Sequence, residues 1–139
     1  MKYLTDYTDK KTTELLDECG AFFAFSNKQF DEAKQEGVKY VSMGAGLICP
    51  KDNASKFARE FDAITSEGMK QDLAENGRSG VIHRELGNHE YCITMGISET
   101  VWALDEYGIT EDEIRAETGA YLKAHYEWEE AQEAKAVTV

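Results

Sequence analysis

Two histidines, two glutamates and a cysteine lie within ten residues, between His83 and Cys92. These side chains are ligand types for zinc or another divalent ion, and a histidine beside carboxylates is also a common proton-transfer unit. If the segment is helical, Glu85 and His89 share one face, whereas His83 points about 120° away from His89. The alternatives are a metal pair of Glu85 and His89, or an acid–base group of Glu85, His89 and Glu90. Either would make the protein a small metal-dependent hydrolase, or a protein that binds and sequesters a nucleotide, with its site at His83–Cys92.

The same residues are also compatible with a purely structural role. Their spacing matches no metal motif with an established mechanism, and no oxyanion-hole or activating element accompanies Cys92. A polar turn at Asn88 and His89, with Tyr91 and Cys92 in the core, is the preferred interpretation of the segment. We therefore expect a binding protein with no cofactor, no metal and no catalytic residue, and keep the two chemical readings as alternatives.

Two glycine-rich segments are similar to anion-binding loops. Met43–Gly46 is followed by a strand-like run rather than by the helix that a phosphate loop requires, so a hairpin turn is the better interpretation. Asn76–Gly80 is predicted to be a plain connection. A small phosphate ligand held by Arg78 is the alternative for this second segment.

The formal net charge of −12 limits the classes of partner. Between Arg84 and Arg115 there are eight acidic residues and no Lys or Arg, which argues against direct binding of nucleic acid or of anionic membranes. A basic protein partner is favoured, because opposite charges steer association. The predicted partner surface combines acidic residues of this stretch with two aromatic residues of the last helix: Glu99, Asp105, Glu106, Glu111, Asp112, Glu113, Tyr126 and Trp128. For the two aromatic residues, the alternative is that they face the core.

The three cysteines are far apart in sequence and form no CxxC pair. The first residues lack the apolar core of a signal peptide, and no apolar run approaches the length of a membrane span. These features predict a cytoplasmic protein with reduced thiols.

Apolar spacing predicts the elements that must position these side chains. A helix over residues 6–19 is expected to end at Gly20, and the run Ala21–Phe25 to form a buried strand. Ser26 is predicted to cap a following helix that reaches Gln35.

The next segments predict a hairpin and a long helix. Val38–Ser42 and Gly46–Cys49 are short and apolar, and with the phenylalanine run they make an antiparallel sheet of about three strands. From Asn53 an apolar stripe of helical period continues to Leu73, and Asn76–Gly77 ends it.

The C-terminal part is predicted to be mostly helical. Val81–Leu86 suits a helix, Tyr91–Thr94 suits a strand, and Ser98 caps a short helix. Thr110 opens the last helix, which frays from about Glu133. The expected fold is α+β, mostly helical, with residues 1–139 forming a single domain around one core.

Two segments resemble those of a group of small, acidic, uncharacterised proteins of bacteriophages and mobile elements. They are Phe22–Phe30 and Glu85–Thr94. The resemblance implies no catalytic residue. It implies a setting in the host cytoplasm, in which short acidic phage proteins often inhibit nucleic-acid-handling or defence machinery, including restriction and CRISPR systems.

Overall fold

The computed structural model describes residues 1–137 and confirms the α+β class, mostly helical with one small antiparallel sheet. The chain divides into two compact units, Lys2–Gln71 (the N-terminal unit) and Asp72 onwards (the C-terminal unit, with which Met1 groups). The elements are α1 (Leu4–Cys19), β1 (Phe22–Phe23), α2 (Asn27–Ala33), β2 (Tyr40–Gly44), β3 (Leu47–Pro50), α3 (Ala54–Asn88), α4 (Tyr91–Thr94), α5 (Ser98–Leu104) and α6 (Glu111–Val137). Single 3-10 turns cover Lys51–Asn53 and Asp105–Tyr107.

The start of the N-terminal unit follows the predicted helix closely. Helix α1 ends at Cys19, and Gly20 adopts the left-handed conformation with φ 70°. Leu15 and Cys19 are buried, and they form a core cluster with Cys49 and Phe57. The apolar stripe of α1 therefore faces inward as its spacing predicts.

The prediction of a buried strand over Ala21–Phe25 is wrong in extent and in burial. Only Phe22 and Phe23 pair with β3, while Phe23 is 52% and Phe25 72% exposed. The backbone N–H of Phe25 donates to Oε1 of Gln29 at 2.7 Å. Because the chain already turns into the cap of α2 at this point, it cannot continue as a strand.

The predicted hairpin is confirmed. β2 and β3 pair antiparallel with Val41 opposite Cys49, and the order in the sheet is β1-β3-β2. The turn residues Ala45 and Gly46 both have positive φ, 52° and 82°. A strand begins at Leu47, so no helix N-terminus follows these glycines and the phosphate-loop reading does not apply here.

Helix α3 is interrupted at Gly77, where φ is 72° and ψ is 164°. The predicted end of the first helical stripe at Asn76–Gly77 is thus confirmed as a break. The helical conformation resumes immediately, so Asn76–Gly80 is not an open connection.

Up to residue 137, the C-terminal unit consists of helices and turns. Tyr91–Thr94, predicted as a strand, is the short helix α4, bounded by Glu90 and Met95 with left-handed φ values of 56° and 57°. These two left-handed residues close the chain into a single turn where a strand would need extended backbone. The buried core of this unit includes Val81, Ile82, Leu86, Leu104, Ile109 and Ile114.

The capping predictions have mixed outcomes. The N-cap of α5 is Ile97, and Ser98 is the first helical residue instead of the cap. The capping box of α6 is confirmed, since the Glu113 N–H donates to Oγ1 of Thr110 at 3.2 Å. Helix α6 continues through Val137 where fraying was expected, and residues 138–139 lie outside the described residues.

Among residues 1–137, no helix combines the length and the apolar character needed to cross a membrane.

Candidate functional site

A buried ion-pair network that the sequence analysis missed lies in the C-terminal unit. The Asp72 carboxylate, 0% exposed, accepts two hydrogen bonds from Nη1 of Arg84 at 2.8 and 2.9 Å. The Tyr107 hydroxyl and the Asn76 amide donate to the same carboxylate at 2.6 and 2.8 Å. A buried charge pair is tolerated when additional hydrogen bonds satisfy its remaining lone pairs, as they do here.

The protonation states of this network follow from its contacts. Burial would raise the pKa of Asp72, but the hydrogen bonds from Arg84, Tyr107 and Asn76 outweigh it and lower the pKa below its ordinary value. Burial, together with the hydrogen bond to Asp72, raises the pKa of Tyr107. Near neutral pH, Asp72 is therefore an anion and Tyr107 a protonated donor. The network is suited to holding structure, not to exchanging protons at that pH.

The network continues towards the surface through the residues that the sequence singled out. Nε of Arg84 donates to Oε1 of Glu85 at 3.0 Å. Oε2 of Glu85 lies 3.4 Å from Nε2 of His89, and Nδ1 of His89 lies 3.3 Å from Oε2 of Glu99. Glu85 is buried, whereas the Glu99 side chain is 78% exposed. One chain of polar contacts thus connects the buried Asp72 to the exposed Glu99 through His89.

Within this series of polar contacts, His89 has a ring nitrogen without a hydrogen-bond partner among the described residues. Its Nε2 is buried and makes no hydrogen bond within the described part of the chain, because the contact with Glu85 lacks hydrogen-bond geometry. His89 lines a cavity of about 220 Å³ together with Thr94, Gly96, Ser98 and Glu99. An imidazole held between two carboxylates at a cavity wall can bind a small polar group or transfer a proton to it.

The predicted metal pair, Glu85 and His89, is adjacent in the structure but has no third ligand among the described residues. Glu85 and His89 are adjacent, yet Glu85 already accepts from Arg84 and lies 3.4 Å from the Asn88 amide. His83 is directed elsewhere, with Nε2 2.8 Å from Oε2 of Glu117. In the portion of the chain that the structure describes, no group of three or more His, Cys, Asp or Glu side chains could hold a metal ion.

Glu90 and Cys92 do not join His89. The side chain of Glu90 is exposed and makes no ion pair with residues 1–137. Cys92 is half-buried, and it lies near Tyr121, whose pKa is raised mainly by burial. The acid–base group predicted from Glu85, His89 and Glu90 is therefore replaced by Glu85, His89 and Glu99.

Two of the six predicted surface acids are neutralised within the unit. Glu113 accepts from Nε and Nη2 of Arg78 at 2.9 and 2.8 Å, and these bonds lower the pKa of Glu113. Arg78 also donates to the Gly108 carbonyl at 2.9 Å, so it is not available for the phosphate that the sequence allowed. Glu111 pairs with Arg115 at 2.8 Å.

The remaining acids lie near an exposed tryptophan in the sequence. Trp102 on α5 is 83% exposed, more than any other large hydrophobic residue described. Glu99 precedes it by three residues on the same helix, a spacing that places side chains side by side, and Glu106 follows in the adjoining 3-10 turn. Asp105 and Glu106 are exposed and form no ion pair with the described residues. We call Glu99, Trp102, Asp105, Glu106 and Asp112 the acidic surface.

The two predicted aromatic residues of α6 are exposed as well. Tyr126 is 50% and Trp128 60% exposed, so the core-facing alternative for them is wrong. Their nearest ring neighbour is His125, whose Nε2 lies 3.1 Å from Glu129. The structure places them on the distal part of α6, which begins at Glu111.

The net charge is distributed unequally between the two units. The C-terminal unit contains fifteen acidic and five basic side chains, whereas the N-terminal unit contains twelve and ten. Net charges of −10 and −2 follow. The negative field of the protein therefore originates almost entirely in the unit that contains the acidic surface.

The chain belongs to a family of unknown function, DUF7659, whose family model matches residues 4–127. No curated protein and no solved structure matches the chain.

Proposed function

We propose that the protein binds a basic protein partner through the acidic surface of its C-terminal unit. The observation that supports this most directly is Trp102, 83% exposed and close in sequence to Asp105 and Glu106, which form no ion pair with the described residues. Exposing a tryptophan to water is unfavourable, and tryptophan is among the residues that contribute most to protein interfaces. A partner Arg or Lys can stack on the indole face and pair with a flanking carboxylate at the same time.

The class of partner follows from the chemistry of the surface. Carboxylates projecting from Asp105, Glu106 and Asp112 occupy positions that phosphates would take against a row of Lys and Arg. Proteins that handle nucleic acids present such rows. A protein bound to that row of Lys and Arg would block the partner's nucleic-acid site and so inhibit it. The resemblance to phage and mobile-element proteins suggests the same role, inhibition of a host nucleic-acid-handling or defence protein.

The test compares two charge-reversed triple variants of the tagged protein in pull-downs from host lysate at low and high salt. The first combines Asp105→Lys, Glu106→Lys and Asp112→Lys. The control combines Glu32→Lys, Glu36→Lys and Glu67→Lys, three exposed acids of the N-terminal unit that produce the same change in net charge. We expect a basic protein to be retained at low salt by the wild type and by the control, and to be lost from the first variant. Equal retention by both variants would refute the acidic surface as the binding site.

A second function is favoured by His89 and its cavity, which suit a small polar ligand or a hydrolytic reaction. The volume of about 220 Å³ is below the roughly 300 Å³ at which ligand pockets usually begin, so the cavity suits a small molecule or group better than a whole nucleotide. Native mass spectrometry of the wild type and of His89→Ala tests this function. A small adduct present only on the wild type supports it, and identical spectra from two equally folded proteins refute it.

A further inference from the structure

The N-terminal unit contains an open apolar cavity of about 400 Å³. Its most buried lining residue is Phe57, which is 2% exposed and belongs to the core cluster. Leu16 of α1 and Leu47 of β3 line it and pack against the same cluster. Phe23 and Phe61 line it too, but they are 52% and 40% exposed. The core of this unit therefore opens to solvent through a cavity bounded by five different elements.

The lining contains no charged side chain, and the Thr12 hydroxyl is its one polar side-chain group. Ligand pockets are typically lined by hydrophobic and aromatic side chains with a few polar groups that fix orientation. The volume also lies within the roughly 300–1,000 Å³ of such pockets.

Aromatic rings give the cavity flat walls. The rings of Phe57 and Phe61 are nearly parallel, with centroids 5.8 Å apart and an interplanar angle of 16°. Phe23 forms a similar pair with Phe25 at 6.2 Å and 10°. Flat, parallel rings favour stacking or edge contact with another flat ring.

We propose that this cavity binds a neutral, largely apolar small molecule that contains a flat ring system and at most one hydrogen-bonding group directed to Thr12. An anionic ligand, such as a fatty acid, is disfavoured because the lining offers no cation to pair with it. This site lies in the N-terminal unit and is independent of the acidic surface and of His89.

The test is a fluorescence titration of the full chain with N-phenyl-1-naphthylamine, a neutral aromatic probe that brightens in apolar surroundings. The decisive variant is Thr12→Phe, which fills the cavity from a half-buried position on α1. Thr12→Ala is the matched control, because it removes the hydroxyl and leaves the space open. We expect saturable binding of one probe per chain, weakened at least about tenfold by Thr12→Phe and by less than about threefold by Thr12→Ala.

Two further variants keep the test decisive if Thr12→Phe does not fold. Phe61→Ala removes a half-exposed lining ring, whereas Phe25→Ala removes a more exposed ring that does not line the cavity. The proposal requires Phe61→Ala to weaken binding more than Phe25→Ala. Non-saturable binding, or equal loss in both variants, would overturn it. Sedimentation velocity provides a further test. If the protein never binds the probe but forms a dimer that Phe61→Ala dissociates, a second copy of the chain is the occupant and the proposal is overturned.

Discussion

The Tyr107 hydroxyl donates a 2.6 Å hydrogen bond to Oδ2 of Asp72, a residue 35 positions earlier in the chain. Both side chains are buried, and Arg84 completes the carboxylate's coordination from within α3. Since Nε of Arg84 also holds Glu85, the same contacts fix the carboxylate beside His89. The buried network thus orients His89, which lines a cavity of the C-terminal unit.

Tyr107→Phe should lower the free energy of unfolding. The change removes a hydrogen bond to a buried charged carboxylate and leaves the ring in place, so we expect a loss of about 1.5–3 kcal/mol. Urea denaturation followed by circular dichroism measures it. The control is Tyr126→Phe, since Tyr126 is 50% exposed and its hydroxyl can bond to water. A loss no larger than that of the control would show that the 2.6 Å contact contributes nothing to stability.

Acid should destabilise the protein through Asp72. Folding lowers the pKa of Asp72 below its ordinary value of 3.8, so the unfolded chain binds the proton more tightly than the folded one. The resulting stability is present above pH 3.8 and is lost as the pH falls towards the lower, folded pKa. Unfolding free energies measured in urea from pH 7 to pH 3 should therefore decrease. Asp72→Asn should be less stable at pH 7 and show a shallower decrease. Parallel curves for the two proteins would assign the acid sensitivity to other carboxylates.

Alkaline pH should destabilise the protein through Tyr107, the hydrogen-bond donor to Asp72. Here stability is lost as the pH rises, whereas through Asp72 it is lost as the pH falls. Folding raises the pKa of Tyr107 above its ordinary value of 10.0, because burial and the adjacent carboxylate disfavour the phenolate. The stability that depends on the protonated hydroxyl is complete below pH 10.0 and is lost as the pH rises towards the folded pKa. Thermal unfolding between pH 8 and pH 11 should show a steeper fall in the wild type than in Tyr107→Phe. A fall of the same slope in both would contradict this assignment.

Local elements were predictable because their signals are contained in neighbouring residues. The left-handed Gly20 after α1, the hairpin turn at Ala45–Gly46 and the Thr110–Glu113 capping box depend on contacts within a few positions, and the structure confirms all three. One local prediction that failed is the phenylalanine run, whose apolar composition favoured a strand. The cap of α2 formed by Ser26 and Gln29 diverts that run after Phe23.

The candidate site was only partly predictable because its contacts are long-range. Glu85 and His89, four residues apart, could be placed on one helical face. No pattern links Asp72 to Tyr107, or Arg78 to Glu113, across 35 residues each, so neither the buried network nor the neutralisation of Glu113 was foreseen. The exposure of Trp102 was missed for a related reason, since an apolar residue at helical spacing is usually buried.

Gly46→Ala should destabilise the N-terminal unit more than its backbone conformation alone requires. Gly46 has φ +82°, and a Cβ added there would lie 2.3 Å from the ring of Phe25. Gly37→Ala is the matched control, because Gly37 has φ +79° and no atom within 4 Å of the added Cβ. The left-handed conformation costs roughly 1–2 kcal/mol at either position. We expect an additional loss for Gly46→Ala in urea denaturation, which Phe25→Ala in the same chain should relieve. Equal losses at the two glycines would show that Phe25 moves aside without cost.

Trp102→Ala should separate binding from stability and decide which aromatic residues contact the partner. Because Trp102 is 83% exposed, its truncation should change the free energy of unfolding by less than about 0.5 kcal/mol. Loss of a tryptophan at the centre of an interface typically costs 2 kcal/mol or more, so retention of the basic partner should fall by roughly thirtyfold. Trp128→Ala is the comparison, since Trp128 is 60% exposed on the distal part of α6. A larger effect at Trp128 than at Trp102 would move the binding surface from α5 to α6, because only residues inside the contact lose binding energy on truncation.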